Sequence, residues 1–263
     1  MSINGGGYRD FERFASVSKE KQSRLSLKQQ LALIVDVANP MRKVSIIRED
    51  EVRWLLPKRI SKELGERNLL GVSEYLFRYG AKSVEKLEIE QRYLPEKQGR
   101  LRVTTFADGH VERTLTIKEA LKSESVSLGL KCSKEREYEL SEAEYFELVQ
   151  FSTGGSVRKT RYKALLDMNI GGDLFPVTVE LDVFSEPQKM KGVAVMEIEI
   201  NSLGKLRNQV TIPDFKRLVG ELFLDLLGTE ITSTSGASNR VVAQRGVSEE
   251  FLSVLKRCGY DEK

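Results

Sequence analysis

The residues of this chain best placed to do chemistry are charged and hydroxyl side chains spaced two apart. They are Glu88, Glu90 and Arg92; Arg100, Arg102 and Thr104; Thr114, Thr116 and Lys118; Glu137 and Glu139; Lys159, Arg161 and Lys163; Glu180 and Asp182; and Glu197 and Glu199. In a β-strand, residues two apart project from the same face. The intervening positions are mostly apolar, as in Leu87 and Ile89, Leu101 and Val103, Leu115 and Ile117, Leu181 and Val183, or Ile198 and Ile200. Each segment therefore presents one charged face, and most of these faces carry a single sign. Basic faces can hold a polyphosphate through charge-assisted hydrogen bonds. Acidic pairs can hold Mg²⁺ or Mn²⁺, which take carboxylate and phosphate oxygens. Alternation does not say which face points inward. An open sheet with its charged face in water, oppositely charged strands side by side, satisfies it as well as a closed barrel with a charged lumen.

The elements that must position these residues change character along the chain. Over the first 80 residues the spacing is helical. Leu27, Leu31, Ile34, Val35 and Ala38 form a stripe that stops before Pro40, and further helices are expected over Glu49–Trp54, Lys58–Glu66 and from Asn68 through Phe77, ended by Gly80. From Leu87 the period becomes two. Strands are expected at 87–94, 101–106, 111–118, 136–140, 158–165, 177–184 and 193–200, separated by turn residues such as Ala107-Asp108-Gly109 and Gly171-Gly172. Ser141 followed by Glu144 forms a capping box for one interrupting helix. A second helix follows Pro213 with Phe215, Leu218, Val219, Leu222, Phe223 and Leu226 as its apolar stripe, and Ser248 caps a last short helix. This divides the chain into a helical extension at 1–84, a β domain at 85–245 and a helical tail at 246–263.

Composition narrows the function classes. The 263 residues carry 42 basic and 39 acidic side chains, a net charge of +3 that argues against a dedicated nucleic-acid surface. No apolar run reaches the roughly 20 residues that span a bilayer, and no signal or transit peptide is seen, so no membrane partner and a cytoplasmic location are expected. Cys132 and Cys258 match no zinc spacing and are expected as free thiols. The single histidine, His110, sits in turn chemistry, which leaves no room for multi-histidine mechanisms. Gly154-Gly155-Ser156-Val157-Arg158-Lys159-Thr160 lacks the spacing of a phosphate-binding loop and is expected as a hairpin turn. Trp54 is expected to pack in the core.

In order, the charged segments resemble the CYTH family of triphosphate tunnel metalloenzymes. Glu88-Ile89-Glu90-Gln91-Arg92 is similar to the family's opening E-x-E-x-K strand, Arg100-Leu101-Arg102 to its R-x-R strand, and Leu115-Thr116-Ile117-Lys118 to its L-T-I-K strand. Glu137-Tyr138-Glu139, Lys159-Thr160-Arg161-Tyr162, Asp182-Val183-Phe184 and Glu197-Ile198-Glu199 resemble the elements that follow, and Gly228-Thr229-Glu230-Ile231-Thr232 with Asn239 resembles the ending. The resemblance spans about Glu85 to Ala243. It implies an α+β fold built on a closed eight-stranded antiparallel β-tunnel with covering helices. It also implies a metal-dependent triphosphatase acting on tripolyphosphate or on a nucleoside or thiamine triphosphate, with Mg²⁺ or Mn²⁺. Alternatives on the same scaffold are a class IV adenylate cyclase and a module that binds nucleotide or polyphosphate without hydrolysing it. By the same resemblance Arg100, Arg102, Lys118, Lys159 and Arg161 would bind phosphates, and Glu88, Glu90, Glu139, Glu197 and Glu199 would bind metal. Glu137, Asp182 and Arg92 would be catalytic. Arg92 replaces the signature lysine, and arginine does not release its proton, so anion binding is its expected role and a carboxylate such as Glu137 or Asp182 would orient water. The N-terminal extension would cap a tunnel mouth or recruit a partner, a second copy of the chain or another protein.

Overall fold

The computed structural model describes residues 44–260 apart from 67–68, 96–98, 122–128, 202–205, 207 and 235. The expected helix at Leu27–Ala38 lies outside them. The strands are β1 (Val44–Leu55), β2 (Ala81–Tyr93), β3 (Arg100–Phe106), β4 (Val111–Ala120), β5 (Lys131–Glu139), β6 (Val157–Ile170), β7 (Asp173–Glu186), β8 (Ala194–Ile200) and the two-residue β9 (Thr229–Glu230). The helices are α1 (Lys58–Glu66), α2 (Leu69–Arg78), α3 (Glu142–Val149), α4 (Ile212–Leu222), α5 (Asn239–Arg245) and α6 (Glu249–Arg257).

The strands run in the order β5-β4-β3-β2-β6-β7-β8-β1, and β1 also pairs with β5. Every pairing is antiparallel. The sheet therefore closes into an eight-stranded barrel, with β9 added beside β1. Closure leaves none of the eight strands with an unpaired edge, which satisfies their backbone groups on both sides.

One strand corrects the sequence reading. Glu49–Trp54, expected as a helix within an N-terminal extension, belongs to β1, which closes the barrel, so the β-domain includes Val44–Leu55, upstream of the start expected at residue 85. The run Arg48-Glu49-Asp50-Glu51 has no apolar member, so it hides the alternation. Asp50 is buried on the outside of the strand, where Arg48 donates to it, Nε to Oδ2 at 2.8 Å. Val52 and Trp54 continue that outer face into the core.

Helices cover the apolar outside in three places. Val52, Trp54, Ala164, Val179, Leu181, Met196 and Ile198 pack with Ile60 and Leu64 of α1, Val72 and Leu76 of α2, and Phe215 and Val219 of α4. Each buried Val, Leu, Ile, Met or Phe among them contributes about 1.5–3 kcal/mol relative to exposure. Leu101, Leu115 and Tyr138 pack under Tyr145 and Leu148 of α3. That helix has the expected capping box, Ser141 Oγ accepting from the Glu144 N–H at 3.3 Å and Glu144 Oε2 accepting from the Ser141 N–H at 2.7 Å. The third cluster is at one end of the barrel. Leu55, Tyr93, Val157 and Val195, which lie on the lumen side of their strands, pack with Val242 and Ala243 of α5 and with Phe251, Val254 and Leu255 of α6. The C-terminal helices thus cover one barrel end instead of forming a separate tail.

The hairpin at Ala107-Asp108-Gly109 is as expected. Gly109 has φ 85°, and the exposed His110 donates its N–H to Asp108 Oδ1. Gly154-Gly155 is not a hairpin but part of the link from α3 to β6. Gly154 has φ 78°, and a Cβ there would lie 2.6 Å from the Ala243 carbonyl oxygen. The two glycines allow α5 to seat closely.

Candidate functional site

The barrel register decides which face of each strand is the lumen. Arg102 pairs with Gln91 and Thr114, and Arg100 with Tyr93 and Thr116. Lys118 pairs with Glu135, Arg161 with Asp182, and Glu180 with Glu197. Glu197 in turn pairs with Arg53, and Glu199 with Glu51. Paired residues share a face, so these side chains form one inner surface. They enclose a cavity of about 260 Å³ lined by seven basic and five acidic residues, from Glu49 on β1 to Arg240 on α5.

Of the residues expected to act together, Arg100, Arg102, Lys118, Arg161, Glu197 and Glu199 line this cavity. Arg100, Arg102, Lys118, Lys159, Arg161, Glu137, Glu139, Asp182, Glu197 and Glu199 lie on lumen faces. Glu139 sits at a mouth with Glu137, Glu112, Thr114 and Ser45 around a smaller cavity. Glu88, Glu90 and Arg92 do not join them. In β2 the lumen face carries Leu87, Ile89, Gln91 and Tyr93, because Ile89 pairs with Lys159 and Leu87 with Arg161. The expected roles of Glu88 and Glu90 as metal ligands and of Arg92 as a catalytic residue are therefore corrected. They form an outer ion-pair ladder in which Glu90 binds Arg92 at 2.9 Å and Arg158 at 3.1 Å, Glu88 binds Lys86 at 2.9 Å, and Thr160 donates to Glu88. The physical reason is local. At this level the lumen is filled, with Lys159 and Asp182 almost fully buried, so Leu87 and Ile89 lose no stability by facing in.

That filled level is a buried ion network. Arg161 grips Asp182 in a bidentate pair, Nε to Oδ1 at 2.7 Å and Nη2 to Oδ2 at 2.8 Å, and also contacts Glu180 and Glu197. Lys159 binds the same Asp182 carboxylate. Arg53 binds Glu197 at 2.6 Å. Burial, with Arg161 as a like charge, pulls the Lys159 ammonium down to about 8 despite Asp182 and Glu197. Burial would raise the Glu197 carboxyl, but Arg53, Lys159 and Arg161 outweigh it and hold it well below the usual range.

Towards the cavity the balance shifts. Lys118 binds Glu49 at 2.5 Å and also Glu135, Arg100 binds Glu135 at 3.3 Å, and Lys131 binds Glu51. Thr116 donates to Glu137 at 3.1 Å. Arg102 has no carboxylate partner among the described residues, and its Nε is buried without an acceptor. Burial, then the like charges of Arg100 and Arg161, pulls its guanidinium below the ordinary arginine range. Gln91, fully buried, accepts from Tyr93 Oη and Asn239 Nδ2, while its own Nε2 has no acceptor. Arg240 stacks over Tyr93 at 5.0 Å and donates to the Leu94 and Gly99 carbonyls at this end.

Among the described residues no group of three or more acidic, histidine or cysteine side chains is arranged as a metal site. The donor chemistry nonetheless fits a hard divalent cation. Burial, with the neighbouring carboxylates of Glu180 and Glu49, pushes the Glu199 carboxyl up to about 8. Carboxylates crowded in this way are relieved by a cation.

The sequence reading missed Glu49, Glu51, Arg53, Lys131, Glu135 and Gln91 as lumen residues. The signal for the first three was present, since Glu49, Glu51 and Arg53 are spaced two apart and lead into the apolar Trp54-Leu55-Leu56.

No family model and no curated protein matches the chain. Among solved structures it is similar to that of the PH1012 protein from Pyrococcus horikoshii OT3, with a TM-score of 0.40 and 21% identity over 65% of this chain and 90% of that one. A likeness this distant says nothing of function.

Proposed function

We propose that the lumen binds the triphosphate group of a small molecule together with Mg²⁺ or Mn²⁺ and hydrolyses a phosphoanhydride bond there. The observation that carries the reading is Arg102, a lumen guanidinium with a buried Nε lacking an acceptor, between Arg100 and Arg161. A buried cation beside two others, with Glu137 and Glu180 only partly offsetting them and no carboxylate in contact, calls for a polyanion. The resemblance to CYTH proteins supports the same reading. The E-x-E-x-basic spacing of that family's opening strand recurs inside the lumen as Glu49, Glu51 and Arg53.

In this reading Arg100, Arg102 and Arg161 bind phosphate oxygens, and Lys118 joins them by turning from Glu49 and Glu135. Glu49, Glu51, Glu180 and Glu199 would hold the metal, which when bound supplies charge neutralisation and polarises phosphate oxygen. Most of the rate would come from fixed positive charge around the transferring phosphoryl group. Asp182 is committed to Lys159 and Arg161, so its role is to position Arg161 rather than to activate water. Glu137 remains the carboxylate proposed to orient water, and Glu137→Ala with unchanged turnover would remove it from that role.

A second reading, binding without hydrolysis, is favoured by Arg53. It occupies the basic position of the spacing, binds Glu197 and cannot act as a base. The test is to incubate the protein with tripolyphosphate, thiamine triphosphate and ATP, each with Mg²⁺ or Mn²⁺, and to resolve the products. Orthophosphate is expected. Cyclic AMP with pyrophosphate would mark a cyclase, and tight binding without products would mark a binding module.

A further inference from the structure

Gln91 stands in a stretch of barrel wall that carries no acid. The lumen face of β2 from Leu87 to Tyr93 consists of Leu87, Ile89, Gln91 and Tyr93, and that of β3 begins with Arg100, Arg102 and Thr104. Directly opposite Gln91 are Arg102 on β3 and Val157 on β6. The Gln91 amide oxygen accepts from Tyr93 Oη at 3.1 Å and from Asn239 Nδ2 at 3.3 Å, which occupies both of its lone pairs. Its Nε2 has no acceptor among the described residues, although the side chain is wholly buried. On the facing strand, the Nε atoms of Arg100 and Arg102 are buried in the same condition.

A glutamine kept only to hold Tyr93 and Asn239 needs its oxygen and nothing more. The NH₂ group is left over, and burying an amide donor without an acceptor is costly. Such donors are few in native proteins, and each calls for an explanation. Arg102 cannot satisfy it, since a guanidinium only donates, and Val157 has no polar side-chain atom. Neighbouring side chains on β2 and β3 thus lack the same thing, an acceptor oxygen. We propose that Gln91 is a further substrate-binding residue of the lumen, donating from Nε2 to a phosphate oxygen that Arg102 also holds. This rests on the triphosphate reading and extends it to a neutral residue outside the charged set. Tyr93 and Asn239 both line the cavity, and by donating to the amide oxygen they fix which way the NH₂ points. The cations of the lumen attract any anion, whereas an amide donor held in one orientation requires an oxygen at one place.

The test uses the full chain with saturating tripolyphosphate and Mg²⁺. The side-chain amide signal of Gln91 in the NMR spectrum is assigned by its loss in Gln91→Met or Gln91→Glu, and in the wild-type protein its proton should move downfield on binding. By calorimetric titration Gln91→Met should bind tripolyphosphate about tenfold more weakly or worse, the loss of one hydrogen bond to a charged oxygen. Gln91→Glu keeps an oxygen for Tyr93 and Asn239 and gives Arg102 a carboxylate, so it should melt no lower than the wild type while binding at least as weakly as Gln91→Met. An unmoved Gln91 signal, or an affinity in Gln91→Met equal to or tighter than wild type, would overturn the proposal. If that happens while Arg102→Met still weakens binding, the triphosphate reading stands without Gln91. If the wild-type protein does not bind tripolyphosphate, that reading fails and this proposal with it. The wild-type amide signal decides the matter even if Gln91→Met fails to fold, since Gln91→Glu also assigns it.

Discussion

Arg102 offers a prediction in which stability and binding move in opposite directions. In Arg102→Met the guanidinium is replaced by an uncharged chain that keeps much of the aliphatic volume. In the ligand-free protein Arg102 has no carboxylate partner and stands beside Arg100 and Arg161, so its charge is a cost. Removing it should leave the melting temperature unchanged or raise it, because no ion pair is broken. For a domain of this size about 1 kcal/mol corresponds to roughly 2–4 °C, so the shift is measurable. Binding should respond the other way. One charge-assisted hydrogen bond to a phosphate oxygen contributes about 1.5–3 kcal/mol. At 1.4 kcal/mol per decade its loss weakens Kd about 10- to 150-fold. The assay is calorimetric titration with tripolyphosphate and Mg²⁺, paired with thermal melts of the ligand-free variant. A fall in melting temperature of several degrees together with unchanged affinity would refute the reasoning, since Arg102 would then be a structural residue.

Three further outcomes follow from the same geometry. Glu88→Ala/Glu90→Ala, on the outer ladder, should leave tripolyphosphate affinity within about threefold of wild type, because surface ion pairs contribute about 0–1 kcal/mol. A loss comparable to that of Arg102→Met would mean that β2 is turned the other way. Asp182→Asn leaves buried Lys159 and Arg161 short of a partner and should cost about 3–5 kcal/mol, read as a melting temperature lower by roughly 10 °C. Glu199 has a folded-state pKa raised from 4.5 to about 8, so its contribution to stability is fully present below pH 4.5 and is lost as pH rises through about 8. Glu199→Gln should therefore make the ligand-free protein more stable than wild type at pH 8–9 and leave it no more stable near pH 4, and pH-dependent melts check the sign.

How much of this was legible without the fold can be followed strand by strand. For β3, β4, β6, β7 and β8 the alternation of charged and apolar residues grouped the side chains that the closed barrel turns to its lumen, and the apolar face of each lies outside. For β2 the same alternation grouped Glu88, Glu90 and Arg92 correctly but could not orient them. A strand with an uncovered outer face and a filled lumen behind it can present charge to water and apolar groups to the interior. For β1 even the strand was hidden, since Arg48 to Glu51 are polar on both faces and the buried Asp50 is paired with Arg48. The C-terminal helices were legible from their caps and stripes, but not the barrel end that they cover, because a stripe does not name what it packs against.

The sequence by itself thus determined which side chains share a face, since a period of two is a property of the extended backbone and needs no partner. It also determined that most of the charged faces recognised in it carry a single sign. Only the tertiary structure decided which face is inside, through the register that closes the sheet and the surfaces left for helices to cover. That register took Glu88, Glu90 and Arg92 out of the lumen and brought Glu49, Glu51 and Arg53 into it. The charge balance of the cavity, with Arg102 without a carboxylate partner and Glu199 among other carboxylates, exists only once eight strands meet, because it depends on distances between residues far apart in the chain.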